Sequence, residues 1–352
     1  GWGVWYVFFS NRNESVAETY EAWEQLKAEF SDVDLPPGNF DYTAESNSTW
    51  NVVLNNKNVE EGKLLGDVLN YPLTDKTTSF NYKSFTSANA RDISHPIKEV
   101  LTGKEIFFSI TSLEDIITSD SDLDKQEIAY TGLLVFVEFR KTPESLHNKL
   151  QGKISLEQLR QIYTGEKTYW NEIDSKLPNI KIQPFIPEEP EAIYQFKKIV
   201  LRNKPQDIAN FEKIVTSQNA ETTIKKAIAT GIISFGTLGR IGHQCSDFYP
   251  LAIVNNNQTN QPKYRTTRSG NDPISLDDGD LCAGTYFDVE NFKNYPLGYP
   301  LYVVYPNDNT RNKPGQQFAE MLGKTQQGQC LLSKVNLVHL QKIPTNLDNC
   351  KK

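Results

Sequence analysis

The residues best suited to chemistry in this 352-residue chain are hydroxyls set in short turns and a knot of carboxylates. Ser46, Asn47, Ser48 and Thr49 follow the run Phe40-Asp41-Tyr42 and precede Trp50. A Ser/Thr-rich turn between a strand and a helix offers an oxyanion both hydroxyls and free backbone N–H groups. The same turn also reads as an ordinary helix cap, which Ser48 or Thr49 would supply. Further on, Ser109, Thr111 and Ser112 end the apolar run 106–110, and Glu188, Glu189 and Glu191 crowd one turn. Acidic side chains in the first turn of a helix complement its dipole, so that turn reads first as a well-capped structural helix.

Other chemistries find no support. Cys245, Cys282, Cys330 and Cys350 form no C-x-x-C pair, and His95, His147, His243 and His339 have no ligand spacing around them; no zinc site is expected. An even number of cysteines, all in the last third, fits two disulfides in an oxidising compartment. Cys245–Cys282 with Cys330–Cys350 is the favoured pairing of the three possible, and four buried thiols are the alternative. Asp272, Asp277, Asp278 and Asp280 lack the calcium-loop pattern and read as a solvated loop. There is no nucleophile elbow, phosphate loop or dinucleotide fingerprint, so no enzyme and no cofactor are expected. A net charge of −7 argues against a nucleic-acid surface.

The elements that must position these groups alternate between strand and helix. Residues 40–42, 80–85, 106–110, 127–137, 180–185, 231–236 and 335–343 read as strands, the fourth apolar enough for burial on both faces. Residues 97–102, 221–230 and 315–322 read as helices, and Gly103 as a stop after the first of them. Residues 153–173 are the most legible segment. Ser155 and Gln158 form a capping box, Leu156, Leu159, Ile162 and Tyr163 share one face, and Gly165 stops the helix before Trp170. Residues 255–280 read as a polar loop or insertion. At the start, residues 1–9 are apolar with Trp2, Trp5 and Tyr6 as an interfacial belt, the expected end of a transmembrane helix. Residues 14–30 follow as a stalk helix. Asn13, Asn47 and Asn257 begin N-x-S/T triplets, which matter only in a glycosylating host.

The spelling of several segments carries a resemblance. Leu156-x-x-Leu159-x-x-Ile162-Tyr163-Thr164-Gly165, with Trp170 and Ile173 after it, resembles a signature of the phosphate-binding proteins of ABC transporters, the type II periplasmic binding proteins. Tyr295-Pro296-Leu297-Gly298-Tyr299-Pro300-Leu301-Tyr302 resembles that family's crossover back to its first lobe. The resemblance covers residues 40–343 and implies an α/β type II periplasmic-binding-protein fold, two lobes with mainly parallel sheets joined by two crossovers. Lobe one would comprise 38–130 and 301–345 and lobe two 131–300, with 10–37 as stalk and linker and 346–352 as tail. Ser48, Thr49, Ser112, Thr131, Glu188 and Glu189 fall at ligand-binding positions by the same resemblance.

The family's grip on phosphate is nonetheless poorly matched. Pro187 stands where the family has an arginine, and three glutamates replace a Gly/Ser/Thr turn. A phosphate dianion facing them would be disfavoured by about 1–4 kcal/mol per close pair. The expectation is a membrane-tethered extracytoplasmic domain that senses or binds another solute or anion, partnered by an ABC permease or a fused kinase. An interaction or scaffold module that binds no solute, and a phosphate-binding transport component, are the alternatives.

Overall fold

A computed structural model of the chain describes residues 33–55, 65–70, 77–84, 93–137, 144–214, 231–241, 250–262, 264–265, 285–286 and 292–340. The expected membrane end, stalk helix, helix 221–230, the four aspartates of residues 272–280, and Cys245, Cys282 and Cys350 lie outside the described residues. The chain divides into two compact units. One comprises Gly1–Glu45, Trp50–Ala129 and Leu301–Lys352; the other comprises Ser46–Thr49 and Tyr130–Pro300.

Among the described residues twelve strands form. The first six are β1 (Gly38–Ala44), β2 (Thr78–Tyr82), β3 (Ile106–Thr111), β4 (Leu123–Val137), β5 (Lys153–Ser155) and β6 (Gln183–Pro184). The others are β7 (Ile232–Thr237), β8 (Ala252–Asn255), β9 (Gln258–Asn260), β10 (Tyr264–Arg265), β11 (Thr285–Tyr286) and β12 (Gly298–Pro306).

In the first unit β1 lies parallel to β2 and β3, with Phe40 opposite Phe80 and Tyr42 opposite Phe108. β12 runs antiparallel to β3, Tyr302 opposite Thr111. Aromatic side chains suit a pleated, covered surface, and here they build the core. The Tyr42 and Phe108 rings stack at 4.8 Å, and Phe318 meets Phe108 at 4.8 Å and Phe80 at 5.0 Å. Each such ring contributes burial of its whole apolar face plus about 0.5–1.5 kcal/mol of ring pairing. Phe318 comes from the helix Lys313–Gly323, which a short turn joins to the helix Gln326–Lys334. The two helices meet so closely at Gly328 that a Cβ there would stand 2.1 Å from the Met321 carbonyl oxygen.

Gly103 ends the helix His95–Thr102 as expected, not through a left-handed angle (φ is −84°) but because a Cβ there would stand 2.7 Å from the Glu99 carbonyl oxygen. That helix end is held by Arg311, whose Nη2 donates to the carbonyls of Val100, Gly103 and Ile106 at 3.3, 2.6 and 3.0 Å. The strand expected over residues 335–343 does not form among the described residues, where Val338 makes only a bridge. Val335, Leu337 and Val338 are buried, but Asn336 adopts a left-handed turn at φ 64° that breaks any extended run.

In the second unit β7 pairs antiparallel with β4, Leu133 opposite Thr237, and parallel with β6. β4 is buried from Thr131 to Val137, as an apolar strand covered on both faces must be. A smaller sheet runs β5-β8-β9, and β10 pairs with β11. Residues 255–260, read as loop, instead turn through Asn256 and Asn257 at φ 50° and 61° to bring β9 back on β8; Asn tolerates those angles, which is why a polar run can be a hairpin.

The helix Leu156–Tyr163 has its capping box. Ser155 Oγ accepts from the Gln158 N–H at 3.0 Å, and Gln158 Oε1 accepts from the Ser155 N–H at 2.9 Å. Gly165 follows at φ +76°, the left-handed stop. The buried face of the helix places Tyr163 on Phe196 at 4.7 Å, and Phe196 in turn stacks on Phe235 at 4.3 Å. The Trp170 indole N–H closes this core by donating to the Gly231 carbonyl at 3.1 Å.

Candidate functional site

Within the second unit, the turn 46–49 faces the turn that opens the helix Pro190–Ile199. Pro190 is at the start of that helix, where a missing N–H costs nothing. Glu189 is its N-cap residue but makes no side-chain cap bond. Glu191, only 4% exposed, accepts three hydrogen bonds. The Thr49 backbone N–H donates to Oε2 at 2.6 Å, and Thr49 Oγ1 and Tyr299 Oη donate to Oε1 at 2.9 and 3.1 Å. Asn47 adds a bond from Nδ2 to the Glu188 carbonyl at 3.3 Å and accepts one from Arg240 Nη2. The acidic turn is therefore more than a dipole-complementing helix start, because a donor set is built around one of its carboxylates.

Glu189 has a second donor set. It is 2% exposed and accepts from Thr237 Oγ1 at 2.5 Å and more distantly from the Thr237 N–H at 3.5 Å, with Arg240 Nε at 3.6 Å. Burial pushes its carboxyl up to about 7; the Thr237 bonds and Arg240 pull the other way, and Glu191 adds to the rise. Loss of hydration thus outweighs the partners. Glu188, by contrast, is exposed, and only its backbone joins the cluster.

The first unit repeats the pattern once. Glu45, 4% exposed, accepts from Thr111 Oγ1, which itself accepts from the Leu113 N–H at 3.1 Å. Ser112 is buried beside it, its carbonyl accepting from the Glu114 N–H at 3.0 Å. Among the described residues three buried hydroxyls lack a hydrogen-bond partner: Ser109 Oγ in this unit, and Ser48 Oγ and Thr131 Oγ1 in the second. Leaving such a group unmatched costs roughly 1–3 kcal/mol.

Of the sequence-derived residues, Thr49 and Glu189 thus make buried polar bonds in the second unit, Ser48 and Thr131 are buried without acceptors, Ser112 belongs to the first unit, and Glu188 faces solvent. The sequence reading missed Tyr299, Thr237, Arg240 and the pairing of Glu191 with Thr49. Tyr299 and Thr237 are far from the turn in sequence and sit in apolar strand runs, which gave no signal. Among the described residues no group of His, Cys, Asp and Glu could hold a metal. No helix there is long and apolar enough to cross a membrane. Cys330 is disulfide-bonded.

The strand topology is that of a mixed α/β fold of the type II periplasmic-binding-protein class, which solved structures share. The chain belongs to the PBP superfamily, whose domain model matches residues 106–323. Three solved structures share the fold. A Clostridium perfringens protein described as a phosphate ABC transporter substrate-binding protein, with bound phosphate, is 16% identical and superposes with a TM-score of 0.54, covering 86% of this chain and 100% of its own. An ABC-type phosphate transport receptor from Vibrio cholerae is 14% identical at a TM-score of 0.52, over 85% and 99%. PstS from Borrelia burgdorferi is 16% identical at 0.51, over 86% and 99%. No curated protein sequence gives a significant match.

Proposed function

We propose that this chain is an extracytoplasmic ligand-binding domain, derived from phosphate-binding proteins, that does not hold phosphate and senses or binds another solute. The observation that carries this reading is Glu191: its buried carboxylate takes the N–H and hydroxyl of Thr49 and the hydroxyl of Tyr299. An incoming phosphate would have to displace a tethered anion and face Glu189 as well. The unmatched Ser48 and Thr131 hydroxyls favour a ligand over no ligand, since each lacks an acceptor that a polar solute would provide. The disulfide at Cys330 fits an oxidising compartment, and tethering through a helix ahead of the domain, to a permease or a kinase, completes the reading. The domain performs no catalysis.

Titration calorimetry with inorganic phosphate and a panel of small anions and neutral solutes tests this. No saturable heat is expected with phosphate, and saturable heat with one other solute. Micromolar phosphate binding would overturn the reading. An interaction module that binds no solute is the second reading, favoured by the internal pairing of Thr49 and Thr237 with glutamates; silence across the whole panel would support it.

A further inference from the structure

We infer that Thr49 and Tyr299 form a carboxylate-binding site, occupied in cis by Glu191, that takes a free short-chain monocarboxylate when the Glu191 side chain is removed. The inference rests on the reading above that this turn no longer serves phosphate.

The geometry is that of a bound ligand. One carboxylate receives donors on both oxygens: the Thr49 N–H on Oε2, and the Thr49 and Tyr299 hydroxyls on Oε1. Charge-assisted bonds of this kind are about twice as strong as neutral ones. Both protein partners are buried. Tyr299 is 6% exposed and lies in β12, and Thr49 is fully buried. The Ser48 hydroxyl next to Thr49 on the same turn is 2% exposed and without a hydrogen-bond partner.

The surroundings set the ligand class. Glu189 is close enough to Glu191 for its charge to be felt. A second full negative charge at this place, as on a phosphate dianion, meets repulsion in a poorly hydrated site. A planar monoanion reproduces the Glu191 headgroup without that charge. The hydroxyl and N–H donors also favour an acceptor-only group over a neutral alcohol.

The test uses the full chain. Glu191→Ala is expected to lower the melting temperature by roughly 5 °C, and acetate or formate at tens of millimolar restores it saturably. Chloride and inorganic phosphate at matched ionic strength do not. Should Glu191→Ala be unfolded, the same titration is read by far-UV circular dichroism as refolding by acetate. Glu191→Gln keeps an acceptor and fills the site, so it is expected to melt between wild type and Glu191→Ala and to ignore acetate. Adding Thr49→Val to Glu191→Ala abolishes the rescue. Failure of acetate and formate to restore Glu191→Ala, or equal rescue by chloride, overturns the inference. Neither result changes the phosphate titration of the wild type, which judges the functional reading on its own.

Discussion

Thr49 gives both its backbone N–H and its side-chain hydroxyl to the Glu191 carboxylate, at 2.6 and 2.9 Å, across 142 positions of sequence. The two are buried to 0% and 4% exposure, so water does not compete for either group. Thr49→Val preserves shape and removes one donor from a buried charge. It is expected to destabilise the protein by about 1–3 kcal/mol in denaturant melts, while Thr49→Ser loses less than half as much. Equal stability of Thr49→Val and wild type would show that the hydroxyl contributes nothing to holding Glu191.

Glu189 makes stability fall as pH rises. Its ordinary value is 4.5 and burial raises it to about 7, so between those two pH values the folded state holds a proton that the unfolded state has released. Stability from this group is complete below pH 4.5 and declines by roughly 3 kcal/mol in all as pH passes through 7. Glu189→Gln mimics the neutral form. It is expected to exceed wild type in stability at pH 8 and to match it near pH 4.5, in urea melts at both values. A variant weaker than wild type at pH 8 would mean that Arg240 and Thr237 outweigh the burial.

His147 acts in the opposite sense. Burial lowers its pKa from 6.5 to about 4, against a bond with the Pro250 backbone that raises it. The unfolded state then binds the extra proton between those values, and stability is lost as pH falls from 6.5 toward 4. The two groups offset one another across their shared window. Glu189→Gln is therefore expected to unmask a loss of stability on acidification below pH 6.5, and His147→Gln a loss on raising the pH above 4.5. Parallel pH profiles for wild type and both variants would rule out any titration of either group in this range.

Local grammar was legible in the sequence and long-range pairing was not. The Ser155–Gln158 box and the Gly165 stop could be read because cap chemistry lies within a few residues. The superfamily could be read because its helix and crossover spellings survive. The site was half legible. Thr49 and the glutamate turn were visible as separate features with plausible local roles, yet the bond between Thr49 and Glu191 is set by the fold. Tyr299 was visible only as part of a crossover motif, and its hydroxyl's destination depends on the same fold. Residues 335–338 misled for a simpler reason, since buried apolar residues around Asn336 look like a strand until its left-handed angle is known.

Helix contact at Gly328 makes a test of the first unit's packing. A Cβ there would meet the Met321 oxygen at 2.1 Å and the Leu322 Cα at 2.5 Å, both backbone atoms that no side-chain rotation can move. Gly328→Ala should therefore separate the helices Lys313–Gly323 and Gln326–Lys334 and cost about 2–4 kcal/mol, although alanine favours a helix locally. A gain in melting temperature would show that the turn at Thr325 can absorb the added methyl.

Cys330 is buried and disulfide-bonded, and its place in the helix Gln326–Lys334 makes the bond a tie on the first unit's core. Pairing with Cys350, the nearest cysteine in sequence, leaves Cys245 to join Cys282. Peptide mapping without reduction is expected to recover those two crosslinked pairs. Cys330→Ser or full reduction is expected to cost about 2–5 kcal/mol, with the loss confined to the first unit by hydrogen exchange if Cys350 is the partner. If Cys245 or Cys282 were the partner instead, the crosslink would join different parts of the chain and exchange would rise in the second unit too. The mapping and the exchange pattern must agree, so a Cys330–Cys282 peptide would refute the pairing outright.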